Sequence, residues 1–304
     1  MPNNLVTLET RDQRLRLMPT LGAGIASWEI HEAQTWQPML RAWDGASEDR
    51  YTFACFPLVP WSNRIGGGGF TQDAMFHPVR PNRVGERYPI HGDGWLQPWT
   101  VRAQGAQHAV LRLESDHFEG NPYHYEATLT CMLSKAELNL TLTATHLGER
   151  PLPYGLGLHP YFLHNDVTRL SMPCDGVWLS GMDPMPVEHV GILPPTFDYR
   201  QPAPLSGPLI DHCLTGWSGK STIDYPDRHL QLEMHMRDCK GYVLFYRPPE
   251  KDFFCMEPIT HPIDAFHMPG QPGLNILKKG DFMTLEMTLK VSGTSVQQQG
   301  RVGA

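Results

Sequence analysis

The chain has 304 residues, of which 40% are hydrophobic and 19% charged, a balance that folds and that speaks against extended disorder. A net charge of −7 and the lack of any basic run argue against nucleic acid and anionic membrane as principal partners, and a neutral or small ligand fits better. The six cysteines are widely scattered with no Cys-x-x-Cys pair, so they read as reduced, packed thiols rather than a disulfide frame or a zinc site.

The N-terminus, MPNNLVTLETRDQRLRL, has no apolar core behind a basic start, and nowhere do about 18 apolar residues run together. A cytoplasmic location follows as the expectation. The first clear strand signal is the alternation over Arg14 to Met18. Next come Trp61-Ser62-Asn63-Arg64-Ile65 and four glycines, which are no phosphate loop because no Gly-Lys-Ser or Gly-Lys-Thr follows. Arg64, entering this glycine run, is placed either to reach ligand hydroxyls through several donors or to make a surface ion pair. Three more arginines, Arg80, Arg83 and Arg87, precede Ile90-His91-Gly92-Asp93-Gly94-Trp95. They form either a solvated basic loop or a cluster that would favour an acidic or phosphorylated substrate. The glycines after His91 permit a tight turn that presents its imidazole, which is otherwise a hydrogen-bonded turn histidine.

Period two is strongest at Leu138, Leu140, Leu142 and Ala144, which alternate with Asn139, Thr141, Thr143 and Thr145. With Tyr123 to Leu133 before it, this strand predicts a hairpin turning at Ser134-Lys135. Gly157 to Phe162 reads GLHPYF. Here Pro160 restricts His159 to an extended backbone, and Tyr161 and Phe162 offer flat surfaces for a sugar ring. An imidazole so placed is either a proton donor and acceptor or a satisfied core group. Asp211, in Ile210-Asp211-His212-Cys213, carries little local signal. Leu230 to Met236 alternates again. Glu257 follows the apolar run Phe253-Phe254-Cys255-Met256 and precedes Pro258, which predicts a carboxylate at a strand end with its proton affinity raised by apolar neighbours. Met283 to Val291 is the last predicted strand, and the polar end, Ser292 to Ala304, is expected to be mobile.

Without a dozen-residue stretch of 3.6-residue spacing, and with 28 Gly and 28 Pro as breakers, the chain is predicted to be all-β. Many antiparallel strands with one apolar face each imply packed sheets, a sandwich or a barrel. One domain is expected over residues 1–304, with its core at about 5–292 and a flexible tail at 293–304. Trp28, Trp61, Trp95, Trp99 and Trp217 form either a stacking platform or, as for most large aromatics in a β-sandwich, part of the core, and none is taken as a site residue. There is no His-Glu-x-x-His or comparable cluster, so no metal is expected.

Taken in order, WSNRIGGGGF, IHGDGW, GLHPYF, IDHC and EPIT resemble the aldose 1-epimerase (galactose mutarotase) family, from about Gly22 to Lys290. The resemblance implies a large, distorted antiparallel β-sandwich whose sugar lies in an open cleft across one sheet. It implies Glu257 as base and His159 as acid in ring opening of a free sugar. By the same resemblance Arg64, His91, Asp211 and Asn63 hold the substrate, and no cofactor is needed. Alternatives are an epimerase of a sugar phosphate or sugar acid, a non-catalytic sugar-binding protein and, more distantly, a glycosidase using Asp211 and Glu257. Residue pattern does not name the sugar or the oligomeric state.

Overall fold

A computed structural model describes residues 5–32 and 34–293. The predicted mobility of the C-terminal tail, apart from Ser292 and Gly293 in the last strand, lies outside the described residues. Among them, helix is limited to single 3-10 turns such as Arg50–Thr52 and Gly94–Leu96, and strands fill the rest of the regular structure. No described helix is long and apolar enough to cross a membrane.

The architecture is a distorted antiparallel β-sandwich. Its nine-stranded sheet has Phe282–Gly293 and Glu137–His146 near the middle, and the hairpin of His124–Ser134 with Glu137–His146 pairs in unbroken register from Tyr125↔His146 to Ser134↔Glu137. The turn falls at Lys135 and Ala136, one residue later than expected, with Lys135 at φ 49°. Leu138, Leu140, Leu142 and Ala144 all face inward, as their alternation requires, because one face of this sheet is covered and the other is wet. A four-stranded sheet, Val6–Glu9 to Thr35–Pro38, is built as a meander.

The eight-stranded sheet carries the functional surface, and its central strands are buried on both faces. Phe254 and Met256 of Phe253–Ile259, with Val243 and Phe245 of Tyr242–Arg247, enter the main core shared with the nine-stranded sheet. On the opposite face Cys255, Ile259, Leu244 and Cys213 pack against Phe56, Leu58, Ile90, Trp95 and Tyr161 in a second apolar cluster. A residue pointing away from the main core therefore still lies under cover. The five named tryptophans are buried.

Candidate functional site

Strand register sets out the floor of the site as a grid. Asp211 of Ile210–Thr215 lies opposite Tyr246, Tyr246 opposite Cys255, and Cys255 opposite Tyr161 of Tyr161–Leu163. One step along, Cys213 lies opposite Leu244 and Leu244 opposite Glu257. Gly157 pairs with Ile259 and Tyr161 with Cys255, so His159, midway between them, is brought alongside Glu257. Side chains two apart on a strand share a face, which is how Asp211, Tyr246, Glu257 and His159 come to line one cleft of about 440 Å³.

Glu257 corrects one expectation: it is not at a strand end. Phe253–Ile259 continues through Pro258, which lies opposite Val243, to Ile259, opposite Tyr242 on one side and Gly157 on the other. The interior position buries the carboxylate, with only 1% of the side chain exposed. Burial first, and the nearby Asp211 second, hold its pKa well above the usual carboxylate range, with Arg64 opposing.

His159 Nε2 stands 3.2 Å from Glu257 Oε1. Its ring is sandwiched between Phe56 at 4.6 Å and 23° and Tyr161 at 4.7 Å and 17°, with Tyr51 edge-on at 5.8 Å. Flat apolar faces on both sides strip water from the imidazole, and burial pushes its pKa down to about 3. His159 Nδ1 and Glu257 Oε2 are both buried without a hydrogen-bond partner. Unpaired polar atoms are costly in an interior, so two of them in one cleft mark a place shaped for a ligand's own polar groups. The GLHPYF segment thus divides. Tyr161 lines the cleft, whereas Phe162 turns into the core against Phe254 and is no platform for a sugar.

The two glycine-rich motifs meet beside this pair. Asn63 and His91 both adopt the left-handed region, at φ 52° and 62°. His91 N–H donates to Asn63 O at 2.9 Å, and Asn63 N–H donates back to His91 Nδ1 at 3.1 Å. With Nδ1 accepting, the ring proton sits on Nε2, and His91 is among the residues lining the cleft. Burial, then His159 and the two arginines Arg64 and Arg83, keep His91 well below its ordinary pKa, so it is neutral. Asn82 fixes this loop through three bonds to the backbones of Ile90 and Gly92. Arg64 lines the cleft, but its guanidinium is held by Glu86 through Nε and Nη2, both at 3.2 Å, and by Asn63 Oδ1 at 3.3 Å. Asn63 therefore positions His91 and Arg64 as much as it faces the cleft. Asp211 sits on a strand, not a loop, and burial raises its pKa against the pull of Arg64.

All six residues expected at the site line this one cleft. The three arginines separate. Arg83 lines the cleft, Arg80 faces a different hollow beside Trp61 and Asn121, and Arg87 is exposed and paired with Asp183 at 3.2 Å. Tyr51, Phe56, Glu86 and Tyr246 were not foreseen. None of the four had a readable signal: Tyr246 stands in the unbroken apolar run Tyr242 to Tyr246 of a strand covered on both faces.

The aldose 1-epimerase family model matches residues 4–290. The chain is 34% identical over 245 residues to the uncharacterized protein YphB of Escherichia coli K12, covering 78% of this chain and 83% of that one. A crystal structure from the same organism, of a protein provisionally named an aldose 1-epimerase, superposes with a TM-score of 0.88 at 28% identity, over 95% of this chain and 99% of the other. A galactose mutarotase-like protein from Clostridium acetobutylicum shares the fold, with a TM-score of 0.82 at 16% identity over 95% of each chain. Matched over nearly its whole length in both sequence and fold, this chain belongs to the aldose 1-epimerase family and is a sugar isomerase of the mutarotase type.

Proposed function

We propose that the protein interconverts the α and β anomers of a free, neutral aldose, with Glu257 as base and His159 as acid. The observation that carries this reading is the buried pair at 3.2 Å, each member keeping one unpartnered polar atom at the base of a cleft. Glu257 takes the proton of the C1 hydroxyl, the C1–O5 bond breaks to give the aldehyde, and His159 delivers a proton to O5. After rotation about C1–C2 the same two groups work in reverse. His91 Nε2–H, Arg64 and Asp211 hold the ring. A neutral substrate fits the charge of the cleft, where Asp211 and Glu86 offset Arg64 and Arg83 and the Glu257–His159 pair with its one proton is neutral overall. Retention of a paired acid and base favours catalysis over sugar binding alone.

Polarimetry on freshly dissolved α-D-glucose and α-D-galactose tests the reading. Mutarotation is expected to run far above the buffer rate. Rates equal to buffer for a panel of neutral aldoses would overturn it. Ring opening by acid and base uses neither metal nor nucleotide, so activity is expected to survive dialysis against EDTA; loss restored by a divalent ion would contradict this.

The pH profile should be broad. Burial lowers the pKa of His159 and raises that of Glu257, so between those two limits the pair carries one proton, which rests on Glu257; its passage to His159 across the 3.2 Å contact gives the ionised base and protonated acid that the reaction uses. On this account kcat/KM falls in acid only below the ordinary histidine value, when a second proton binds, and in alkali when the last proton leaves. A fall centred near pH 6.5 on the acid side would mean that His159 titrates as an ordinary exposed imidazole.

A further inference from the structure

We infer that Arg83, seated on the ring of Tyr51, reads the substituent on C5 of the sugar, favouring a hydroxymethyl group over a hydrogen. This rests on the anomerase reading above. Arg83 lines the cleft, with its guanidinium 3.6 Å above the Tyr51 ring. Its carboxylate neighbours are distant for hydrogen bonds: Asp49 at 3.8 Å and Glu86 at 4.0 Å. Arg64, by contrast, has its donors closely engaged by Glu86. Arg83 is therefore the cleft guanidinium with N–H groups to spare, and a planar cation on an aromatic face is held with its edge donors directed sideways.

Its place in the cleft decides what those donors meet. Tyr51 packs edge-on against His159 at 5.8 Å and tilted against His91 at 6.0 Å. If His159 protonates the ring oxygen, the atoms beyond it are C5 and its substituent, since O5 is bonded only to C1 and C5. Glu257 claims the C1 side. Tyr51 and Arg83 then border the C5 side, and the hydroxymethyl oxygen of a hexose is the acceptor available to a guanidinium N–H. The Tyr51 hydroxyl, buried without a partner, is a second polar group at this wall. An acidic substituent gains less, because Asp49 and Glu86 already offset the charge of Arg83.

D-Glucose against D-xylose, and D-galactose against L-arabinose, are pairs of pyranoses that differ only in having CH2OH or H at C5. In the wild-type enzyme kcat/KM should favour each hexose by about 10-fold or more, as for a site that pairs with a substrate hydroxyl. Arg83→Met keeps the stem and removes the donors, so it should bring both ratios close to 1. Tyr51→Phe keeps the platform and should preserve most of the preference, whereas Tyr51→Leu should lower it. Thermal unfolding of each variant separates loss of fold from loss of discrimination. Hexose to pentose ratios unchanged in a folded Arg83→Met enzyme would overturn the assignment, as would faster turnover of D-glucuronate than of D-glucose. Absence of any anomerase activity in the wild type would instead overturn the functional reading beneath it.

Discussion

Glu257→Gln and His159→Asn are each expected to slow anomer exchange by about 10² to 10⁴, the usual worth of one positioned acid or base. That is roughly 3 to 5 kcal/mol of barrier. Gln keeps the size of the carboxylate but cannot take a proton, and Asn keeps a polar group where His159 stood without its proton donor. The pair acts in one step, so the double variant should lose less than the product of the single losses. Near wild-type polarimetric rates in either single variant would remove that residue from the chemistry. Strictly multiplicative losses would separate the two into independent roles.

Gly92→Ala should damage both stability and activity from outside the cleft. Gly92 has φ 69°, and a Cβ there would lie 2.0 Å from the Val59 carbonyl oxygen. That oxygen accepts from Asp93 N–H and Gly94 N–H, both at 3.1 Å, so it is fixed from two sides. The added methyl must push the loop away from Val59, and His91 is the next residue back. A loss of about 2 to 4 kcal/mol is expected, in the range of strained backbone substitutions. Activity should fall further than stability alone explains, since the reciprocal bonds between His91 and Asn63 depend on this loop. A variant with wild-type unfolding temperature and exchange rate would show that the loop is not held as described.

The nine-stranded sheet was readable in the sequence because one face is wet, which writes alternation into Leu138 to Thr145. The eight-stranded sheet was harder. Phe253–Ile259 is covered on both faces, so its apolar run carries no period, and Pro258 looked like an end where the strand in fact goes on. Five of the six expected site residues stand in motifs around glycine and proline, where the backbone is constrained enough to leave a local mark, whereas Asp211 in Ile210-Asp211-His212-Cys213 had no such mark and was indicated by the family resemblance alone. Tyr51 and Phe56 cage His159 through packing, and Glu86 secures Arg64 through an ion pair 22 positions away along the chain. Contacts of that kind leave no spacing to read. For the same reason Arg80, Arg83 and Arg87 could not be told apart: their loop lacks periodicity, and only the folded chain sends one of the three into the cleft.

Glu257 is assigned chemistry rather than recognition, and exchange NMR tests this in a single sample. Magnetisation transfer between the α and β anomeric protons gives the rate, while line broadening or a titration with the same sugar gives its affinity. For Glu257→Gln the prediction is an exchange rate lowered by about 10² or more with affinity held within a few-fold, since the proposed sugar contacts of Arg64, His91 and Asp211 are left in place. Rate and affinity falling together, or exchange close to wild type, would contradict it.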